Sequence, residues 1–258
     1  MKPYHIGFSQ TDLGCPPPTL ALLSGDRDRA EKIARTYLHN SRQLSNKRGL
    51  SSYLGYLATG QPVLSATSGM GAPSLSIVVN ELIQVGISKI IRVGTCGSIQ
   101  PDVKVGSLVV TQAALCRQGT ALDIAPIEYP AAADPFLTVA LVEAARSLQI
   151  DCHLGITASV DTFYEGQERA TSSANPHLLR HLRGITEEYR TLNILNYEME
   201  SGTLLKMAGV YGFAAACVCG VIAQRTVSEN PVASAAQEVE EKAIQVAVQA
   251  VQRSSGNN

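Results

Sequence analysis

Arginine recurs in this chain beside glycine and hydroxyl residues, a combination suited to binding oxyanions. The stretch Arg92-Val93-Gly94-Thr95-Cys96-Gly97-Ser98-Ile99 follows the short apolar run 87–91, so Arg92 stands where a buried strand would reach the open end of a sheet. Glycine lets backbone N–H groups approach oxygen atoms, hydroxyls donate without charge, and the guanidinium adds charge and a bidentate fork. Gly25-Asp26-Arg27-Asp28-Arg29 repeats the combination after the apolar strand pattern 19–24, and a helical spacing follows over 29–37. A helix start would place free N–H groups beside those cations, a common way to hold a phosphate. Taken singly, each stretch reads equally as a tight turn or a capped helix with surface charges.

Other clusters carry different groups. Asp161-Thr162-Phe163-Tyr164-Glu165-Gly166-Gln167-Glu168-Arg169 sets aromatic rings beside an amide and a cation, and Glu198-Met199-Glu200-Ser201-Gly202 holds two carboxylates. Ala223-Gln224-Arg225-Thr226 ends a late apolar strand on another arginine. His177 and His181 are four apart and could share a metal, but no acid or cysteine is patterned with them, which favours a solvated helix face. Ser68-Gly69-Met70-Gly71 echoes a dinucleotide fingerprint, yet its third glycine is missing and Lys89 stands near the place of the ribose-binding acid. It reads better as a tight turn bringing backbone close to a ligand or a neighbouring helix.

The elements that must position these groups alternate along the chain. Strand patterns cover 19–24, 53–57, 62–67, 105–111, 153–160, 192–197 and 212–222, besides the run before Arg92. Helical spacing covers 29–37, 73–85, 136–148, 178–182, a segment through 208, and 233–251 with Val239, Ala243, Val246, Ala247 and Ala250 on one stripe. Residues 112–135 show little periodicity and read as a long loop. The pattern predicts one α/β domain over 1–258 with a mostly parallel sheet and a disordered tail at 254–258. Ligands of such sheets bind beyond the carboxyl ends of the strands, where the clusters at Gly25, Arg92, Phe163, Glu198 and Arg225 all fall.

Composition narrows the function. With 258 residues, 45% of them hydrophobic and 17% charged, the chain is long enough for a full core. A formal charge of −1 gives no attraction to polyanions, so nucleic acid is not an expected partner. The start of the chain lacks an apolar signal core and no apolar run approaches the ~20 residues of a membrane span, so a soluble cytoplasmic protein is expected. Six scattered cysteines, with Cys217 and Cys219 alternating along one strand, read as buried thiols in a reducing compartment.

In order, Gly25-Asp26-x-x-Arg29, Arg92-Val93-Gly94-Thr95-x-Gly97, the 161–169 segment, Asn196-Tyr197-Glu198-Met199-Glu200-Ser201 and Gln224-Arg225-Thr226 resemble the motif set of the nucleoside phosphorylases. Phe163-Tyr164-x-Gly166-Gln167-x-Arg169 is similar to the form found in the uridine-cleaving branch. The similarity extends from His5 to the last helix. It implies an α/β fold, a three-layer α/β/α sandwich around a mixed, partly barrel-like central sheet, assembled as a homo-oligomer, a dimer at minimum and a hexamer built from dimers in this subtype. It also implies phosphorolysis of uridine to uracil and ribose 1-phosphate, with inorganic phosphate as co-substrate and no cofactor. By resemblance Gly25, Arg29, Arg92 and Thr95 hold phosphate, and Arg48 joins them from a neighbouring subunit. Glu200 bonds the ribose hydroxyls, Met199 lies beneath the sugar and His5 reaches the 5′-hydroxyl across an interface. Gln167 and Arg169 bond the base, Arg225 organises its far edge directly or through water, Phe163 stacks on or beside the base or sugar, and Cys96, Gly97, Glu198 and Ile222 complete the substrate pocket. Arg92, Glu200, Arg169 and Arg225 form the implied catalytic set.

Departures from the motif set matter too. Ile222-Ala223-Gln224-Arg225 lacks the acid that purine-type relatives use to protonate the leaving base, which favours pyrimidines. Gly49 stands where a glutamate of a shared potassium site is usual and Met70 occupies a second such position, although Ser74 remains, which weakens the case for potassium. Glu165 replaces a proline and Cys96 a threonine, changes that could move preference toward thymidine or deoxyuridine. A purine or broad-specificity phosphorylase, a water-using nucleosidase and a non-catalytic nucleoside-binding protein are the competing readings, with a dinucleotide-dependent dehydrogenase further off.

Overall fold

The computed structural model describes residues 2–254. Its strands are β1 (Leu20–Ser24), β2 (His39–Ser45), β3 (Ser52–Tyr56), β4 (Pro62–Thr67), β5 (Lys89–Ser98), β6 (Leu108–Arg117), β7 (Cys152–Val160), β8 (Ile194–Glu198) and β9 (Ala214–Gln224). The helices are α1 (Arg27–Lys32), α2 (Ala72–Gln84), α3 (Gly119–Leu122), α4 (Pro135–Ser147), α5 (Ile185–Thr191), α6 (Ser201–Tyr211) and α7 (Ala233–Ser254). α1 widens into a π turn over Ile33–Tyr37. Helix α7 continues to Ser254, and the rest of the expected tail, 255–258, lies outside the described residues.

Strand order is β2-β3-β4-β1-β5-β8-β7-β6-β9, and β9 pairs back onto β5. Strands β5, β8, β7, β6 and β9 therefore close into a five-stranded barrel, from which β1, β4, β3 and β2 extend as an open arm. The sheet is mixed with parallel pairings in the majority: β1/β4, β1/β5, β5/β9, β6/β7 and β7/β8 run parallel, while β2/β3, β3/β4, β5/β8 and β6/β9 run antiparallel. Alternation along β1 shows why helices cover both faces. Leu20 and Leu22 pack with Leu137 and Leu141 of α4 and Val246 of α7, while Ala21 and Leu23 pack with Leu75 and Val79 of α2 and Leu204 of α6. The two faces of one strand thus feed two cores, giving three layers. Cys96, Val109, Cys217, Cys219 and Val221 form a smaller apolar cluster contributed by the barrel strands.

Local chemistry sets the helix starts. Asp26 caps α1 by accepting from the Asp28 N–H at 2.9 Å, and Asp134 caps α4 by accepting from the Leu137 N–H at 2.9 Å, with Pro135 fitted to the first turn. Among the described residues no helix is long and apolar enough to cross a membrane.

Three segments differ from the expectation. Residues 92–98 are not a glycine turn, because β5 stays extended to Ser98, paired with β9 from Lys89↔Ala214 to Ser98↔Gln224. The expected loop at 112–135 is in its first part strand: a bulge at Gln112 shifts the register, breaks the alternation and hides the continuation of β6 to Arg117. Residues 178–182 hold only a single turn, Arg180–Leu182, and the helix of that region is α5. His177 and His181 are both exposed.

Candidate active site

A pocket of about 480 Å³ opens beside the carboxyl ends of β1, β5 and β8. On its first side Gly25 ends β1, and a Cβ there would lie 3.3 Å from the Gly69 carbonyl and 3.9 Å from Arg92 Nη1. A side chain would separate the turn from the cation, so glycine keeps backbone and guanidinium close. Arg29, in α1, is buried against this wall, with Nε donating to Glu240 Oε2 at 2.9 Å and Nη1 to the Val93 carbonyl at 3.2 Å. Arg92 donates from Nε to Glu198 Oε2 at 3.1 Å and from Nη2 to Glu200 Oε2. The glycine at 94 makes room for that guanidinium, since a Cβ there would lie 2.9 Å from Arg92 Nη2. Thr95, Cys96 and Gly97 line the pocket beyond it.

The carboxylates occupy the turn from β8 into α6. Glu198 accepts from the Glu200 N–H at 2.9 Å, from the Ser201 N–H and from Ser201 Oγ at 2.6 Å, in addition to Arg92. It borders the pocket, but these bonds occupy both oxygens; its work is to fix Arg92 and the start of α6. Glu200 is freer: one oxygen meets Arg92 and the other accepts from the Gly71 N–H at 2.6 Å. The 68–74 turn therefore brings its backbone to the Glu200 carboxylate. Burial, only partly offset by Arg92, moves Glu200 above the usual carboxylate range. Burial works against the Arg92 charge as well, but Glu200 and then Glu198 outweigh it and hold that guanidinium protonated. Met199 lines the pocket while its carbonyl accepts from Gln118 Nε2, whose Oε1 binds the Thr203 N–H at 2.8 Å.

The far side is built from the loop after β7. Glu168 sits at φ +52°, a left-handed conformation costly for a residue with a side chain, and its carboxylate accepts from the N–H groups of Gly184 and Thr186 at the start of α5. With Glu168 turned outward to α5, Gln167 and Arg169 on either side of it are both buried in the pocket wall. Arg169 Nε donates to Gln167 Oε1 at 3.1 Å, Nη1 donates to the Glu229 carbonyl, and the guanidinium lies 4.0 Å from the Phe163 ring centroid. Burial, then the neighbouring Arg225, pushes Arg169 down to about 10. It remains a cation near neutrality, with the charge of Glu229 partly offsetting those effects.

Arg225, expected to organise the far edge of the base directly or through water, sits one step back from the cavity, with its Nε buried and unpartnered among the described residues. It stands behind the loop rather than among the lining residues, donating to the carbonyls of Gln167 at 2.8 Å and Glu168 at 3.2 Å. Its place in this chain is to hold the loop that carries Gln167 and Arg169. Ile222 does line the pocket. His5 and Arg48 do not: His5 Nδ1 lies 2.6 Å from Glu81 Oε1 on α2, and Arg48 is exposed in the Lys47–Gly49 turn at φ +58°. Ser74 donates its hydroxyl to the Ser68 carbonyl at 2.6 Å, and Gly49 is exposed in the same turn as Arg48.

Sequence reasoning missed Asp26, Arg27, Tyr197 and Pro231 as lining residues. It also missed Gln118, Glu229 and Glu240. Asp26, Arg27 and Tyr197 lie within short motifs that also carry named site residues, and are legible there. Gln118, Glu229 and Glu240 act on pocket residues 60 to 211 positions away, which leaves no local spacing to read.

These features place one oxyanion-suited wall, one carboxylate and one amide–guanidinium pair around a single cavity. A family profile, the phosphorylase superfamily, matches residues 19–254. The chain is 42% identical over 250 residues to a uridine phosphorylase of Escherichia coli strain K12, covering 97% of each chain. It is 37% identical over 226 residues to a uridine phosphorylase of Thermococcus kodakarensis, covering 88% of this chain and 79% of the relative. Similarity to a DeoD-type purine nucleoside phosphorylase of Xenorhabdus nematophila is lower, 31% over 250 residues. The match over most of the chain, on a closed-barrel α/β/α fold carrying these side chains, makes this protein a member of the phosphorylase superfamily.

Proposed function

We propose that this pocket cleaves uridine with inorganic phosphate, giving uracil and ribose 1-phosphate. The observation that carries the reading is the opposition of two arginine sites. Arg29 and Arg92 stand on one wall, Gln167 and Arg169 on another, and Glu200 is in contact with Arg92. Phosphate bound by Gly25, Arg29, Arg92 and Thr95 would attack the anomeric carbon as the bond to the base breaks. Positive charge then grows on the sugar and negative charge on the leaving uracil. The ionised Glu200 carboxylate favours the first, and donors from Arg169 and Gln167, already oriented before reaction, favour the second.

The same geometry weighs against the alternatives. Residues 222–225 supply no acid to protonate a purine, and the 31% match to a purine enzyme is weaker than the 40–42% matches to uridine enzymes. Water as nucleophile gives no use for Arg29 and Arg92 on one wall. Arg48 and His5 lie outside this pocket, which supports a homo-oligomer in which a neighbouring copy presents them, a hexamer built from dimers in our reading. We further take residues 1–258 as one domain acting in the cytoplasm without a cofactor.

The test is uridine absorbance followed with and without inorganic phosphate, alongside inosine and thymidine. Uridine loss only when phosphate is present is expected. Equal loss without phosphate would make the protein a hydrolase, and binding without turnover would make it a nucleoside-binding protein.

A further inference from the structure

We propose that Glu240 on α7 is a positioning residue for the anion wall, orienting Arg29 and thereby setting the affinity for phosphate. The inference rests on the phosphorolytic reading above and adds a residue that no motif in the sequence marks. Glu240 is 211 positions from Arg29, yet its Oε2 accepts from Arg29 Nε at 2.9 Å. With Nη1 donating to the Val93 carbonyl at 3.2 Å, the guanidinium is tied at two of its five N–H groups. The remaining three lie on the terminal nitrogens, the edge suited to a second, oxygen-rich partner.

Arg29 lines the pocket and is buried. A buried guanidinium without its carboxylate would turn toward other acceptors, and ordering a long side chain when an anion arrives would oppose binding. Glu240 holds the side chain in place beforehand, leaving the terminal edge unclaimed. It also removes part of the positive field, but it does so at Nε and not at the edge left for the anion.

The next residue provides an internal control. Glu241 Oε2 lies 2.5 Å from Lys32 Nζ and its Oε1 accepts from the Tyr37 hydroxyl, so it ties α7 to the same helical region without touching Arg29. Glu240 Oε1 also lies 3.6 Å from Lys32 Nζ. Both acids contribute to the contact between α1 and α7, but only Glu240 reaches a pocket arginine.

The experiment compares Glu240→Ala, Glu240→Gln and Glu241→Ala in the full chain, varying phosphate at saturating uridine and uridine at saturating phosphate, with melting curves in parallel. For Glu240→Ala the phosphate KM is expected to rise about ten-fold, the loss of a hydrogen bond to a charged group, while kcat and the uridine KM stay within about two-fold. Glu240→Gln, whose amide oxygen still accepts from Nε, is expected to recover the phosphate KM to within about three-fold of the parent. Glu241→Ala is expected to lower Tm without moving the phosphate KM. An unchanged phosphate KM in Glu240→Ala, or an equal rise in Glu241→Ala, would overturn the proposal. If Glu240→Ala does not fold, Glu240→Asp, which keeps the charge but shortens the reach, should raise the phosphate KM by about three-fold, and an unchanged value would overturn it as well. A parent enzyme that ignores phosphate would instead refute the functional reading itself, so the two failures are distinguishable.

Discussion

The bond between Arg169 and Gln167 predicts that the two residues act as a unit on the leaving base. Arg169→Ala removes a buried cation, its donor groups and the partner that fixes the Gln167 amide, since Nε binds Oε1 at 3.1 Å. Loss of one preorganised donor to a developing anion costs about 2.7–4 kcal/mol, or roughly a hundred- to thousand-fold in kcat/KM. Gln167→Ala removes a neutral donor and acceptor, with a loss of about 1 kcal/mol from the hydrogen bond itself. It also frees Arg169, which still keeps its tie to the Glu229 carbonyl and its place over Phe163. A hydrogen bond to a charged group is worth about 1.5–3 kcal/mol, so the double variant should fall short of the summed single losses by an amount of that order. The assay is kcat/KM for uridine at saturating phosphate in all four proteins, with single-turnover rates to isolate the chemical step. Strict additivity would refute the view that Arg169 works partly by orienting Gln167. Near-parent activity in Arg169→Ala would refute its role at the base altogether.

Other parts of the pocket give shorter tests. Gly94→Ala puts a Cβ 2.9 Å from both Arg92 Nη2 and Cys219 Sγ, so it should destabilise by about 1–3 kcal/mol and raise the phosphate KM; an unchanged Tm in a melting experiment would contradict the packing. Glu200 must be ionised to favour the cationic sugar, and its raised value means that activity is lost as pH falls through a point above the ordinary carboxylate range. Glu198→Gln removes a neighbouring negative charge that contributes to that rise, so the acid limb of the kcat/KM profile should move to lower pH; movement to higher pH would reverse the assignment. Ligand binding at ~100 times Kd should stabilise the folded chain by about 2.7 kcal/mol, read as a higher Tm in the presence of uracil and phosphate.

The parts of the site that were legible in the sequence are those in which one short segment carries both the chemistry and its placement. Gly25 with Arg29, Gln167 with Arg169 and Glu198 with Glu200 each sit at a strand end, and an alternating pattern puts such ends on one rim of a sheet. Closure of the barrel was not legible from composition or spacing, because the β5–β9 pairing joins residues more than a hundred positions apart. That pairing also explains why 92–98 misleads: its glycines and hydroxyl residues have turn composition, but β9 holds them extended and Gly94 serves to admit a guanidinium.

Arg225 shows a second kind of limit. Its position after the late strand was readable, but whether it touches a ligand or the loop beside it depends on where the 161–169 segment folds. The carbonyls of Gln167 and Glu168 claim it. Glu229, Glu240 and Gln118 are the same problem without a motif, groups that hold Arg169, Arg29 and the Met199 turn from distant parts of the chain. A buried cation needs such partners wherever the chain can bring them, and periodicity carries no record of them. Weakened phosphate affinity should therefore extend beyond the motif residues to Glu240, whose distance along the chain says nothing about its distance from Arg29.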